Sequence, residues 1–281
     1  MSNTRKNDRI RRAVCYALIG VAVVLLGWLE FGKPTLSEDV LLNRLMNMTV
    51  TRLIGAAVFL AILLYNGYRV MNPVRSPFGK SLLYALPAFL VVMNNLPFIP
   101  YLKGQVVMTH TAPAFWVWYA LQSLAIGLFE EFAFRGVILL MFAEKRHRSR
   151  KDLFVCILLT SAVFGGIHLL NVLAGAGIVP VLQQIAYSFL IGAMCAVVLY
   201  RTANIWLCVI LHALFDFNGD VFHTLGTCPG WWSDLPTVIL TFVIAAAVGA
   251  FYVISLWKMN PHELDRVYGE PVPAPSGTAE L

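Results

Sequence analysis

Glu130 and Glu131 lie side by side, with Arg135 four residues after the second, in an otherwise apolar run from Pro113 to Phe142. Two further apolar runs carry His168, within Phe164-Gly-Gly-Ile-His168, and the pair His212 and Asp216, within His-Ala-Leu-Phe-Asp. Carboxylates and imidazoles are the side chains that take and return protons near neutral pH, and they also suit divalent cations such as zinc. A lone charge at a bilayer centre costs about 3 kcal/mol on insertion scales, so such groups face a partner or a water-filled cavity.

The elements that hold these groups follow from composition. Of the 281 residues 59% are hydrophobic and 13% charged, and mean hydropathy is +0.72, which excludes an ordinary soluble domain. Apolar runs of the roughly 20 residues needed to cross a bilayer recur along the chain. Eight are expected: Ala13 to Phe31, Val50 to Val70, Ser81 to Pro100, Pro113 to Phe142, Leu153 to Leu170, Pro180 to Tyr200, Ala203 to Phe217 and Pro236 to Trp257. Backbone in lipid must satisfy its own hydrogen bonds, and no alternating ten-residue pattern suggests a barrel. The expected fold is an all-α polytopic bundle forming a single membrane domain over residues 1–281, with the motifs in its core at about 113–217.

Positive charge gives the orientation. With both termini in the cytoplasm, 16 of the 21 Lys and Arg fall on the cytoplasmic side. Lys33, Arg44, Arg52 and Lys103 then lie outside and Arg135 within the membrane. The net charge of +6 is accounted for by orientation and contact with anionic membrane lipid, not by nucleic acid. The first run follows Arg5, Lys6, Arg9, Arg11 and Arg12 but is too long for a cleaved signal and has no Ala-x-Ala site, so it reads as a retained anchor. Cys15, Cys156, Cys195 and Cys208 fall in or beside spans, and Cys228 stands alone in an outer loop, which leaves packing as their expected use. From about Pro261 the tail reads as disordered.

Residues that act together must share a depth. Counting about 1.5 Å per helical residue, Glu130 is roughly 22 Å from Lys145, His168 roughly 25 Å from Lys151 and His212 roughly 17 Å from Arg201. All three fall inside the membrane. Glu131 and Arg135, at i and i+4, can pair on one helix face, while Glu130 points about 100° away and is available. His212 and Asp216 are also i and i+4, which lets the aspartate fix the imidazole. His168 and Asn171 are i and i+3, and Gly165 with Gly166 leaves room for another backbone or a substrate.

Each group has a plainer reading: Glu131 with Arg135 as a buried ion pair, His212 with Asp216 as an interhelical clasp. Five ionisable groups and an arginine at one depth are harder to explain that way. Ser161 with Gly165, and Ser188, Gly192 and Ala196, are small residues at four-residue spacing and read as close helix contacts. His-Glu-Leu-Asp-Arg at His262 lacks the second histidine of a zinc helix. There is no Gly-x-Ser-x-Gly elbow, no Gly-x-Gly-Asp pair, no His-Glu-x-x-His helix and no phosphate loop.

In order, Glu130-Glu131-Phe-Ala-Phe-Arg135, Phe164-Gly-Gly-Ile-His168 and His212-Ala-Leu-Phe-Asp216 resemble the three motifs of the CAAX prenyl protease and bacteriocin-processing family of intramembrane endopeptidases. The resemblance covers about Pro113 to Phe217. It implies peptide hydrolysis, with Glu130 as general base on a water held by His168, Glu131 and Arg135 orienting that base, and His212 donating to the oxyanion. Many prenyl proteases have Asn at the last motif position. Asp216 cannot donate when ionised, so it would steer His212, or join Glu130, His168 and His212 around a divalent cation such as zinc. Relatives are described both as metal-dependent and as metal-independent.

The implied substrate is a membrane-associated peptide or protein, lipidated or not, at a bacterial plasma membrane. Two rivals are a proton- or ion-coupled carrier, with Glu130, His168 and His212 as a relay, and a non-catalytic scaffold or immunity protein. No internal symmetry supports the carrier. The run around Gly127, about 45 Å as a straight helix, exceeds the hydrocarbon core; tilt with protrusion is expected over a break.

Overall fold

The computed structural model describes residues 2–32, 34–72, 77–144, 146, 149–230 and 234–269. In chain order these form α1 (Ser2–Phe31), α2 (Val40–Asn66), α3 (Phe78–Asn94), α4 (Phe98–Leu102), β1 (Val107–Met108) and α5 (Pro113–Glu130). A π-helical stretch, Glu131–Leu139, leads into α6 (Leu140–Ala143), then α7 (Arg150–Gly166), a 3-10 turn (Ile167–Leu169) and α8 (Leu170–Leu173). The order closes with α9 (Ile178–Thr202), α10 (Ile205–Thr224), β2 (Gly226–Thr227), α11 (Leu235–Trp257), a 3-10 turn (Pro261–Leu264) and α12 (Asp265–Tyr268). The protein is an integral membrane bundle. β1 and β2 make a two-residue antiparallel ribbon, Val107 opposite Thr227, at one end of it.

Local chemistry starts and stops these helices. Asp39, Ser149, Asn204 and Asp234 cap α2, α7, α10 and α11 by accepting from backbone N–H groups of the first turn. Gly67, at φ 71°, closes α2 in the left-handed region. The third expected span is not one rod: Pro97 cannot continue α3, which ends at Asn94, and α4 restarts at Phe98. The tail from Pro261 to Gly269, expected to be disordered, is ordered instead, because Leu264 and Val267 are buried in the core and the Arg69 N–H donates to Val267 O at 2.8 Å. The rest of that tail, with Pro271, Pro273 and Pro275, lies outside the described residues, as do Lys33, Arg75, Lys145 and Arg148.

Among the described residues, six helical segments are long and apolar enough to cross a membrane: Arg9–Leu29, Val40–Asn66, Arg150–Leu173, Ile178–Thr202, Ile205–Thr224 and Leu235–Trp257. Of the other two expected spans, α3 has only 17 residues, and the motif-bearing rod runs unbroken from Pro113 to Ala143 but widens to π at Glu131. There is no break at Gly127; the helix changes type four residues later, at Glu131. The second span begins ten residues before its expected start, at Val40. Arg52, counted with the outer-side charges, lies midway along α2, its guanidinium 5.5 Å from the Phe129 ring centroid.

Large apolar side chains face outward as lipid requires: Val24 on α1 is 73% exposed and Phe242 on α11 is 65% exposed. Inside, one core joins α2, the π stretch, α7, α9, α10 and α11. Polar contacts sort the helix ends. Arg11 and Arg12 meet Glu144 at 2.5 and 2.6 Å, Lys80 and Arg201 meet Glu263 at 2.9 and 3.0 Å, and Arg266 donates to Arg201 O at 2.8 Å. The opposite end gathers the ribbon and the ion pair of Lys103 with Asp234. Successive rods therefore alternate in direction.

Candidate active site

Helix crossings bring the three motifs together. At Gly127 an added Cβ would sit 2.9 Å from Val209 O and 3.0 Å from Ala213 N, so only glycine lets α10 cross α5 one turn before Glu130. At Gly165 it would sit 2.8 Å from Ile185 O, so the room the sequence offers there is taken by α9. Ser161 and Gly192 then face each other across α7 and α9, as their spacing suggests.

His212 stands between the two glutamates. Its Nδ1 donates to Glu131 Oε1 at 2.6 Å, and its Nε2 lies 3.4 Å from Glu130 Oε2 and 3.7 Å from Asp216 Oδ2. The carboxylate that orients the imidazole is thus Glu131, not Asp216, because the i,i+4 pair on α10 stays beyond hydrogen-bond length. Arg135 Nη1 is 3.0 Å from the same Glu131 oxygen, an ion contact rather than an aligned hydrogen bond, since neither terminal nitrogen has a hydrogen-bond partner. Glu131, Arg135 and His212 are buried, whereas the Glu130 and Asp216 side chains are 14% and 27% exposed. One glutamate is held and the other open.

Phe164 ties the motifs to one another. The Arg135 guanidinium lies 4.3 Å over its ring, and the ring meets His168 and His212 edge to face at 5.6 and 5.8 Å. His168 sits on the 3-10 turn, half-buried, with Nε2 enclosed and unpaired to protein. Asn171 does not join it; its amide donates to Gln184 Oε1 at 2.8 Å.

Several positioning residues escaped the sequence reading. Tyr119 donates to Phe217 O at 2.9 Å and to Asp216 O at 3.2 Å, and Asn95 donates to Phe215 O at 2.7 Å, so α5 and the end of α3 both grip α10 beside Asp216. A hydroxyl in an apolar run was a faint signal for the first.

The expected cation ligands Glu130, His168, His212 and Asp216 do not bring three donor atoms within 4.8 Å of one another, so as placed they do not fit a divalent ion. The arrangement does fit acid–base work: a half-open carboxylate, a buried imidazole touching it, and a second imidazole nearby.

Residues 112–218 match the family model of Rce1-like proteins, the type II CAAX prenyl endopeptidases. Over that core the chain is thus similar to the CAAX prenyl protease family. Neither the curated proteins nor the solved structures gave a match.

Proposed function

We propose that this protein is an intramembrane endopeptidase that hydrolyses a peptide bond in a membrane-associated peptide or protein, lipidated substrates included. The observation that carries the reading is His212 held by Glu131 with its other nitrogen turned to Glu130. Glu130, the exposed member of the pair, takes a proton from water, and the enclosed Nε2 of His168 holds that water. With Nδ1–H committed to Glu131, His212 donates to the developing oxyanion from Nε2 as an imidazolium, whose counter-charge Glu130 and Asp216 supply within 3.7 Å. Arg135 and Glu131 hold this imidazole in place, and Asp216 acts as a charge partner.

An apolar hollow of about 420 Å³ lined by Leu96, Phe98, Tyr101, Met108, Trp116 and Phe222 supports an apolar substrate portion. Phe222 is ten residues from His212 on α10, roughly 15 Å along the axis. The chain acts as one membrane domain crossing eight times, with its basic end and both termini in the cytoplasm of a bacterium.

The test is mass spectrometry of lipidated and unlipidated peptides incubated with purified protein in oxygen-18 water. Two fragments, the new carboxyl carrying one label, are expected from the wild type and not from His168→Ala. Ion or proton flux that depends on Glu130, without fragments, would assign a carrier instead.

A further inference from the structure

Glu131 faces more than His212 and Arg135. One ligand atom each from Glu131, Cys195 and Cys208 lies within 4.8 Å of the other two, and all three residues are fully buried. They come from three elements: the π stretch, α9 and α10. Glu131 Oε1 carries the contacts to His212 and Arg135, while Oε2 has no hydrogen-bond partner. Cys208 Sγ donates to Cys195 O at 3.2 Å, which places the thiols at the α9–α10 contact.

We propose that Cys195, Cys208 and Glu131 form a binding site for a soft divalent cation of the zinc or cadmium type, separate from the Glu130, His168, Asp216 side of the site. Two thiolates and a carboxylate suit such an ion and leave a fourth position open. Sulfurs each about 2.3 Å from a shared tetrahedral ion stand roughly 3.8 Å apart, so donors already within 4.8 Å need close by only about 1 Å. Charge favours it as well. On binding, two S–H bonds break, two metal–sulfur bonds form and two protons leave for solvent, so one divalent cation replaces two protons and net charge does not change. The thiolate–carboxylate complex carries one net negative charge, and Arg135 balances it, which offsets the cost of burying an unpaired ion. The part-exposed Glu130 and Asp216 lead from the surface to His212 and so to Glu131.

A cation on Glu131 weakens that carboxylate as the acceptor of His212, so it inhibits hydrolysis; this consequence alone rests on the protease reading. The bland alternative is that the two cysteines are small residues filling the α9–α10 contact.

The test titrates chelator-stripped, full-length protein in detergent with cadmium, reading the ultraviolet thiolate-to-cadmium absorbance and the stoichiometry by calorimetry. One ion per chain is expected, lost in Cys195→Ser and in Cys208→Ser, and kept when Cys15, Cys156 and Cys228 are all Ser. Cys208→Ser retains a donor to the Cys195 carbonyl, and melting midpoints confirm that each variant folds. A signal unchanged in both variants, or no binding at one equivalent, overturns the site. At saturation, wild-type cleavage is expected to fall at least about tenfold and that of Cys195→Ser to be unaffected. Binding without inhibition would remove Glu131 from the donor set.

Discussion

Nδ1 of His212 donates to Oε1 of Glu131 at 2.6 Å, joining positions 81 residues apart, and that oxygen also faces Arg135 at 3.0 Å. Removing that carboxylate would leave both partners buried without their shared acceptor. Glu130 is partly exposed and meets His212 Nε2 at the longer distance of 3.4 Å.

The adjacent glutamates should therefore respond differently to the same change. Glu131→Gln is expected to cost about 3–5 kcal/mol, since it strands buried Arg135. Glu130→Gln is expected to leave the melting midpoint near wild type. Thermal unfolding of both variants in one detergent checks this; equal midpoints would mean that the Glu131 contacts carry no stability.

Gly192 limits the space around Arg135. A Cβ there would lie 3.2 Å from Arg135 Nη2, from the Phe164 ring and from Ser161 Oγ. Gly192→Ala is expected to lower kcat about tenfold with KM little changed, because a shift of a few tenths of an ångström misplaces Arg135 and through it Glu131. Ser161→Ala in the same chain makes room and should restore most of the rate, as Ser161 Oγ has no hydrogen-bond partner to lose. No recovery in the double variant would place the effect elsewhere.

Phe164 carries a cation on its face and both histidines against its edge. Phe164→Leu is expected to destabilise by about 1–2 kcal/mol from the lost cation–π contact and packing. It should also lower kcat, which separates a platform for the site from a core filler that would move the midpoint alone.

Outside the membrane, Asp234 gives a pH signature. A hydrogen bond from Lys103, followed by those from Thr237, holds its carboxyl at about 2, against an ordinary 3.8. A depressed carboxyl contributes stability that is complete above 3.8 and disappears as pH falls through about 2. Melting midpoints across that window should fall more for the wild type than for Asp234→Asn, and parallel curves would contradict the linkage.

What was legible in the sequence tracked spacing within one helix. Glu131 with Arg135 follows from i,i+4 geometry, although the same spacing left His212 and Asp216 3.7 Å apart. Contacts between helices were not legible: Glu131 with His212 depends on α10 crossing at Gly127, and Gln184 on α9 takes Asn171 away from the i,i+3 partner its spacing suggested. Arg52 was counted with the outer-side charges although the expected span began two residues before it; it lies mid-helix, with Leu45, Phe59 and Leu63 of the same helix in the core. The π stretch has no residue signature comparable to a cap or a proline, so the motif helix read as plain α. Cys195 and Cys208, thirteen residues apart on successive helices, read singly as packing.

The central claim is that Glu130 activates the water that attacks the peptide. Its most direct test is turnover of a fluorogenic lipidated peptide panel by wild type and Glu130→Gln, at matched melting midpoints. A loss of about 10²-fold or more in the variant is expected for a general base. Equal turnover by the two proteins would contradict the account.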